Sequence, residues 1–391
     1  MISTTYLNLD HQKAERVGAH ETAREIAHQP HLWLDVLNLI DTNKSQILAF
    51  LDPIFEIPNL RIILTGAGSS AFIGEAAQGL VQKNTGKITQ ALATTDLVTH
   101  PELFFMDDVP TLLISFARSG NSPESVETVR LADLHASNLY HFIITCNEEG
   151  QLAEYARQHK SNTHCLQLPK EANDKSLAMT GSFTSMLLSV LLISDLKAMI
   201  SKKEEVASAS KYAEYILNNY PPKFQKIADL DFERVIFLGS GPLLGIAREC
   251  HLKLQELTDG QVVCKHDSFL GFRHGPRAVL NEKSLVVFLF SHDAHVYQYE
   301  RDLAKSISSD LREIPSISFG IQEKDDFDSI LNVSNSSSDN TVGDFNVLVA
   351  TLIGQLLGFY KSLALGLHPD SPSVSGAISR VVQGVKIYNK H

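Results

Sequence analysis

Lys253 and Glu256 stand three residues apart in His251-Leu252-Lys253-Leu254-Gln255-Glu256, a spacing that puts an ammonium and a carboxylate on one face of a helix. Such a pair is most often a solvated ion pair. Here the helix follows a glycine turn, where α/β proteins build their sites. Eighteen residues later, Phe272-Arg273-His274-Gly275-Pro276-Arg277 puts an imidazole in a loop ahead of a Gly-Pro break, and functional side chains concentrate in loops. Two further turns are rich in serine. Ser69 and Ser70 follow Gly66-Ala67-Gly68, and Ser119 and Ser122 flank Gly120 ahead of Pro123. Hydroxyls and backbone N–H groups at a helix start point the same way and suit an anion. Two such turns at one sheet edge make a phosphate cradle, whereas either alone is a capped helix start.

Those turns need a scaffold, and a repeat supplies it. Residues 61–80 read RIILTGAGSSAFIGEAAQGL, and residues 234–253 read RVIFLGSGPLLGIARECHLK. At an offset of 173 residues, Gly66 matches Gly239 and Gly68 matches Gly241. Each unit is an apolar strand, a glycine turn and a helix, and the continuous apolar runs fit parallel strands covered on both faces. TLLISF (111–116), HFIITC (141–146), HCLQLP (164–169), SLVVFLF (284–290) and IPSISFG (314–320) are further strands, with helices at 122–136 and 150–159 between the first of them. The pattern predicts an α/β chain of two tandem doubly wound domains with parallel sheets flanked by helices. The expected division is a helical N-terminal extension (1–47), a first domain (48–205), a second (206–365) and a C-terminal tail (366–391). Residues 201–219 read as a helical link. The polar stretch 334–340 reads as a loop or a strand-to-helix connection.

The 391 residues carry 34 Lys+Arg against 45 Asp+Glu, a net charge of −11. That balance argues against nucleic acid as a partner and leaves a small anionic substrate open. Four scattered cysteines with no CxxC suggest neither a disulfide framework nor a cysteine zinc site, and point to the reducing cytoplasm. The N-terminus shows no apolar leader. The stretch 346–367 has the length of a membrane span, but Gln355 and Lys361 interrupt it, and a core or subunit-interface helix is expected instead of a membrane partner. His292 and His295 invite a metal, yet the spacing is not that of a zinc helix and no third ligand is evident. Gly66-Ala67-Gly68-Ser69-Ser70-Ala71 also fits a dinucleotide fingerprint, but Asp96 comes too late to hold a ribose. The same glycines could simply serve a tight strand–helix turn.

GAGSS and ARSGNS, in tandem with GSGP, KLQE and RHGP, resemble the SIS (sugar isomerase) domain proteins. Over most of residues 50–391 the chain is similar to the isomerase half of glucosamine-6-phosphate synthase and, more narrowly, to the AgaS-type proteins of galactosamine catabolism. The resemblance implies two flavodoxin-like SIS domains, with phosphate bound by Ser69, Ser70, Ser119 and Ser122. It implies that Glu256, beside Lys253, moves a proton between C1 and C2, and that His274 opens the sugar ring. The histidine would reach a neighbouring subunit's site, which implies a homodimer or higher homo-oligomer. Ala117 and Arg118 depart from the synthase's Ser and Gln: one hydroxyl is lost, and Arg118 would supply a charge-assisted contact. Phe272 stands where the synthase has a glutamate, and the loop before His274 is two residues longer. Arg380 best matches a tail lysine of the synthase; arginine stays protonated and forms no Schiff base, which leaves it to orient sugar oxygens. Leu177-Ala178-Met179-Thr180 resembles a sugar-facing loop, with backbone contacts from Ala178.

The activity implied is that of an amino-sugar phosphate deaminase/isomerase, converting galactosamine 6-phosphate to tagatose 6-phosphate and ammonia without a cofactor or a metal. A plain aldose–ketose isomerase would use the same residues and release no ammonia. A sugar-phosphate sensor would need neither Glu256 nor His274, and regulators of this kind usually carry a basic helical domain that the first 45 residues do not supply.

Overall fold

A strand covered on both faces reads as a nearly continuous apolar run, and the two repeats each supply such strands. The computed structural model describes residues 5–321, 328–334, 342–382 and 384–388. Among these, the chain forms two compact units. One comprises His31–Asp174, Gly181–Lys203 and Ile378–His391; the other comprises Met1–Pro30, Lys175–Thr180 and Glu204–Ala377.

The first unit is built on five parallel strands: β1 (Arg61–Thr65), β2 (Ile88–Ala91), β3 (Thr111–Ala117), β4 (Leu139–Thr145) and β5 (Thr163–Gln167). Their order is β2-β1-β3-β4-β5. The second unit repeats the scheme with β6 (Arg234–Leu238), β7 (Val263–Asp267), β8 (Ser284–Leu289), β9 (Ser316–Phe319) and β10 (Leu331–Val333), in the order β7-β6-β8-β9-β10. The two sheets therefore share one doubly wound order, with the switch point between the first and third strands of each repeat. The central strands β1, β3 and β8 are buried along their whole length.

The repeat is exact at its turns. Gly68 has φ 57° and ψ −130°, and Gly241 has φ 55° and ψ −126°, a region that only glycine occupies cheaply. Gly66 and Gly239 are needed for another reason. A Cβ at Gly66 would lie 2.5 Å from the Ser70 Cβ, and one at Gly239 would lie 2.2 Å from the Leu243 carbonyl oxygen.

The apolar stretch near the C-terminus is the helix Asn346–Ala364, long and apolar enough to cross a bilayer but almost wholly buried. Its two polar interruptions are satisfied there. Gln29 Nε2 donates to Gln355 Oε1 at 2.6 Å, and Lys361 Nζ donates to the carbonyls of Ala228 (3.0 Å) and Leu230 (2.9 Å). Burial pulls the Lys361 pKa down from its ordinary value, while the Phe232 ring lies 4.1 Å from the ammonium, close enough for a cation–π contact. This helix packs on Pro242–Leu257, the helix of the second repeat. Gly354 and Gly358 let the backbones approach: added Cβ atoms would lie 2.6 Å from the Cys250 Cα and 3.2 Å from the Leu254 Cα.

The N-terminal extension is helical except at its start. Thr5–Tyr6 and Leu9–Asp10 form an antiparallel hairpin, with Leu7 and Asn8 at φ 48° and 59°, the paired positive values of a two-residue hairpin turn. The helices His11–Arg16, His20–Thr42 and Lys44–Phe55 follow. The expected link at 201–219 lies within the helix Met199–Asn219. The stretch expected at 334–340 lies outside the described residues after Ser334.

Candidate active site

In the first unit, β1 and β3 run side by side with Thr65 opposite Ser115, so the turns that follow them leave the same sheet edge. Ser69 and Ser70 begin the helix Ser69–Thr85 and are buried. The second turn is tied down by its neighbours. Asn147 Nδ2 donates to the Ser119 carbonyl (2.8 Å), Gln151 N donates to Asn121 Oδ1 (2.9 Å), and Leu152 N donates to the Gly120 carbonyl (3.1 Å). Gly120, at φ 66°, leaves room for the Gly150 Cα and Thr145 Oγ1, each 3.4 Å from where a Cβ would stand. The Ser122 hydroxyl donates to Ser125 Oγ at 2.6 Å. Adjacent serine hydroxyls on a locked turn can hold anionic oxygens without side-chain reorganisation.

Arg118 is buried beside this turn, and its guanidinium donates to the Arg380 carbonyl. Arg380 is fixed in turn: Nε donates to the Asp174 carbonyl (2.7 Å) and Nη2 to Asn173 Oδ1 (2.6 Å). Two residues that sequence analysis singled out separately, 262 positions apart, thus meet within one unit. Burial, with Asp174, pushes up the pKa of the buried Cys146 thiol, against the two guanidinium groups, which lower it.

In the second unit, Lys253 Nζ lies 2.5 Å from Glu256 Oε2 and 3.4 Å from Glu249 Oε1. Lys253 is 1% exposed and Glu249 0%, while the Glu256 side chain keeps 23% of its surface. This gradient separates the cluster from a solvated surface pair. The ammonium is held from behind by a buried carboxylate, and the front carboxylate reaches solvent. A carboxylate fixed by an ammonium on one side and open on the other can take a proton from a bound C–H.

The turn corresponding to the serine-rich one is occupied from within in this unit. Ser291 N donates to Glu300 Oε2 at 2.8 Å, and Glu300 is fully buried. Burial raises its pKa against the Ser291 N–H and the Ser240 hydroxyl, which lower it. The position corresponding to the Ser119 turn thus already holds a carboxylate of the chain.

His274 is exposed on the turn after the short helix Phe269–Phe272, its N–H on the Gly271 carbonyl at 3.1 Å. Phe272, in place of the synthase's glutamate, is a fully buried core residue that anchors the loop. Arg277 fixes the far side, donating to Ser306 Oγ (2.8 Å) and its carbonyl (2.9 Å). Ala178 is fully buried in the segment Lys175–Thr180. Ser176 Oγ donates to Glu25 Oε2 (2.5 Å), Lys175 N donates to Glu25 Oε1 (2.6 Å), and Leu177 N donates to the Asp370 carbonyl (3.1 Å).

The supports Glu249, Asn147, Glu25 and Asp370 do not stand out in the sequence. Only Glu249 left a local signal, four residues before Lys253 on the same helix face. The others act from distant stretches. His292 and His295 belong to a helix start: Asp293 accepts from His295 N (2.8 Å) and Val296 N (3.2 Å), and these two N–H groups hold its carboxyl below the ordinary range.

The chain matches the SIS domain model over residues 57–194. It is 39% identical to D-galactosamine-6-phosphate deaminase AgaS of Shewanella sp. (strain ANA-3), over 98% of this chain and 95% of that one. It is 38% identical to D-galactosamine-6-phosphate deaminase AgaS of Escherichia coli, over 94% and 95%. Among solved structures, tagatose-6-phosphate ketose/aldose isomerase from Escherichia coli superposes with a TM-score of 0.86 at 35% identity, covering 94% of this chain and 96% of that one.

Proposed function

The chain belongs to the AgaS family of SIS-domain proteins, and from that premise we propose that it is an enzyme, a galactosamine-6-phosphate deaminase/isomerase. The observation that carries the chemistry is the Glu249–Lys253–Glu256 cluster, buried behind and open in front. In this reading the phosphate of the sugar is held by Ser69, Ser70, Ser119 and Ser122, with Arg118 and Arg380 orienting its oxygens and Ala178 contributing backbone contacts. His274 protonates the ring oxygen and relieves the anomeric hydroxyl of its proton, opening the pyranose. Glu256, oriented by Lys253, removes the proton from C2 and returns it to C1 through an enolamine. The resulting C2 imine takes up water, and ammonia leaves to give tagatose 6-phosphate. Anchoring the remote phosphate spends binding energy on placing C1 and C2 at the base. Proton transfer of this kind requires no cofactor or metal.

We assign the active enzyme to a homo-oligomer in which His274 serves a neighbouring subunit, and to the cytoplasm. The domain division is proposed as 48–205 for phosphate binding and 206–365 for proton transfer, with 366–391 as the tail.

Purified chain incubated with galactosamine 6-phosphate is expected to release ammonia and a ketose phosphate in equal amounts. Ketose without ammonia from an unaminated hexose 6-phosphate alone would instead identify a plain isomerase, and bound but unchanged sugar phosphate a sensor. Mixing inactive His274→Ala with inactive Glu256→Ala chains should restore part of the activity if the site is shared. No recovery after subunit exchange would contradict the sharing.

A further inference from the structure

We propose that His11, Glu15 and His20 form a zinc-class transition-metal site that clips the short helix His11–Arg16 to the start of the helix His20–Thr42. The three residues lie outside the sugar site, and the inference does not depend on the proposed activity.

Local geometry brings the donors together. His11 and Glu15 are four apart on one helix, and so share a face. The chain then reverses through Gly18, at φ 60°, and delivers His20 as the first residue of the next helix. Asp10 caps the short helix by accepting from Lys13 N at 2.8 Å, which fixes the helix start where His11 stands. The result is that His11 Nδ1 and His20 Nδ1 face each other at 3.2 Å, with their rings 79° apart. One donor atom from each of the three residues falls within 4.8 Å of the other two.

The distance has a chemical meaning. Two nitrogens bound tetrahedrally at about 2.0–2.1 Å from one zinc ion stand about 3.3 Å apart, close to what the two imidazoles show. The same separation would suit a single hydrogen bond between neutral rings. Glu15 makes the difference, because it turns an imidazole pair into a nitrogen–nitrogen–oxygen set. Such a set is borderline in softness: it suits zinc and its first-row neighbours, and it does not suit calcium or magnesium. Three protein ligands leave a fourth position for water.

One term opposes the cation. The first turn of the helix His20–Thr42 carries the positive end of the helix dipole. Asp370 offsets it, accepting from Glu21 N (3.2 Å), Thr22 N (2.7 Å) and Thr22 Oγ1 (2.7 Å). His11 and Glu15 are exposed and His20 is half-buried, so the ligands can close on an ion without unpacking the core. The bound ion would fix the N-terminal hairpin and short helix against the next helix.

The test uses the full chain freed of metal and titrated with zinc chloride, followed by calorimetry and by thermal unfolding. One zinc ion per chain is expected beyond whatever the His11→Ala/His20→Ala double variant retains, with a rise in unfolding temperature that the double variant lacks. Glu15→Gln should weaken zinc binding about tenfold or more while leaving the imidazole pair in place. Deaminase activity should be unchanged in both variants, which separates failure here from failure of the proposed function. Cobalt in place of zinc should give the intense visible bands of four-coordination in the unmodified chain only. Zinc stoichiometry and unfolding temperature identical in the chain and the double variant would overturn the site, and unchanged affinity in Glu15→Gln would overturn the three-donor set.

Discussion

A buried lysine between two carboxylates is costly unless all three charges are kept. Lys253 is almost fully enclosed and Glu249 wholly so, while Glu256 is partly solvated. Removing the lysine would take away the ammonium that lies 3.4 Å from the buried Glu249 carboxylate, and breaking a buried ion pair from one side costs about 3–5 kcal/mol. Lys253→Met is therefore expected to lower stability strongly in a urea titration and Glu256→Gln only slightly, with turnover expected to be lost in both. Equal stability loss in the two variants would contradict the gradient of burial. A second residue-scale prediction concerns acid. His251 and His266 stack at 4.8 Å between ring centroids. Burial, with His251, Arg248 and Lys265 nearby and only Asp267 opposing, lowers the pKa of His266 to about 4 from an ordinary 6.5. Burial likewise lowers that of His251. An unfolded chain takes up protons on both rings near pH 6.5, and the folded chain refuses them until lower pH. Stability present above pH 6.5 is therefore lost as pH falls toward 4. Unfolding temperature should decline over that window, and the decline should be shallower in His266→Gln. An identical slope would refute the assignment.

At the scale of elements, glycine decides where the chemical groups sit. Gly68 and Gly241 have open space around the missing Cβ but lie at φ 57° and 55°, so alanine there pays in backbone strain alone, about 1–3 kcal/mol. Gly354 is the opposite case. Its helical backbone is ordinary, but a Cβ would run into Cys250. Gly354→Leu should push the helix Asn346–Ala364 off Pro242–Leu257, which bears Lys253 and Glu256. A loss of at least about 1–3 kcal/mol by overpacking should come with a fall in kcat larger than any rise in KM. Stability loss with unchanged kcat would mean that the crossing does not position the base. The central strands β1, β3, β6 and β8 were legible as apolar runs because both of their faces are covered. Ile88–Ala91, Val263–Asp267 and Leu331–Val333 were not legible. They are sheet-edge strands, short or half-exposed, so no continuous apolar run marks them. The hairpin at Thr5–Asp10 hid for a similar reason, since its turn uses Leu7 and Asn8 where glycine is the usual signal.

For the whole molecule, one duplicated unit carries different side chains in its two copies. The first repeat keeps serines after both of its turns, and its serine-rich turn is braced by Asn147 and Gln151. In the second repeat, the carboxylate of Glu300 meets the Ser291 N–H at the corresponding position, and the helix carries the lysine–glutamate cluster. The placement of Ser69, Ser70, Ser119 and Ser122 at turns of the first repeat, and of Lys253 and Glu256 on one helix of the second, was readable from the sequence. The junction of Arg118 with Arg380 was not, because nothing local records a contact across 262 residues. Glu300→Ala removes the carboxylate from the second repeat, and inorganic phosphate is then expected to bind at two positions per chain instead of one. Unchanged phosphate stoichiometry in that variant would show that the second turn is not a latent anion site.

If Glu256 carries the proton between C1 and C2, no other group should exchange it. Galactosamine 6-phosphate incubated with the enzyme in deuterium oxide, and followed by proton NMR, tests it most directly. The C2 proton is expected to be lost and delivered to C1 of the ketose, in competition with deuterium that enters through the partly solvated Glu256 carboxyl, with neither transfer nor exchange at C2 in Glu256→Gln even though that variant still binds the sugar phosphate. Exchange at C2 that persists in Glu256→Gln would contradict it, since another group would then be the base.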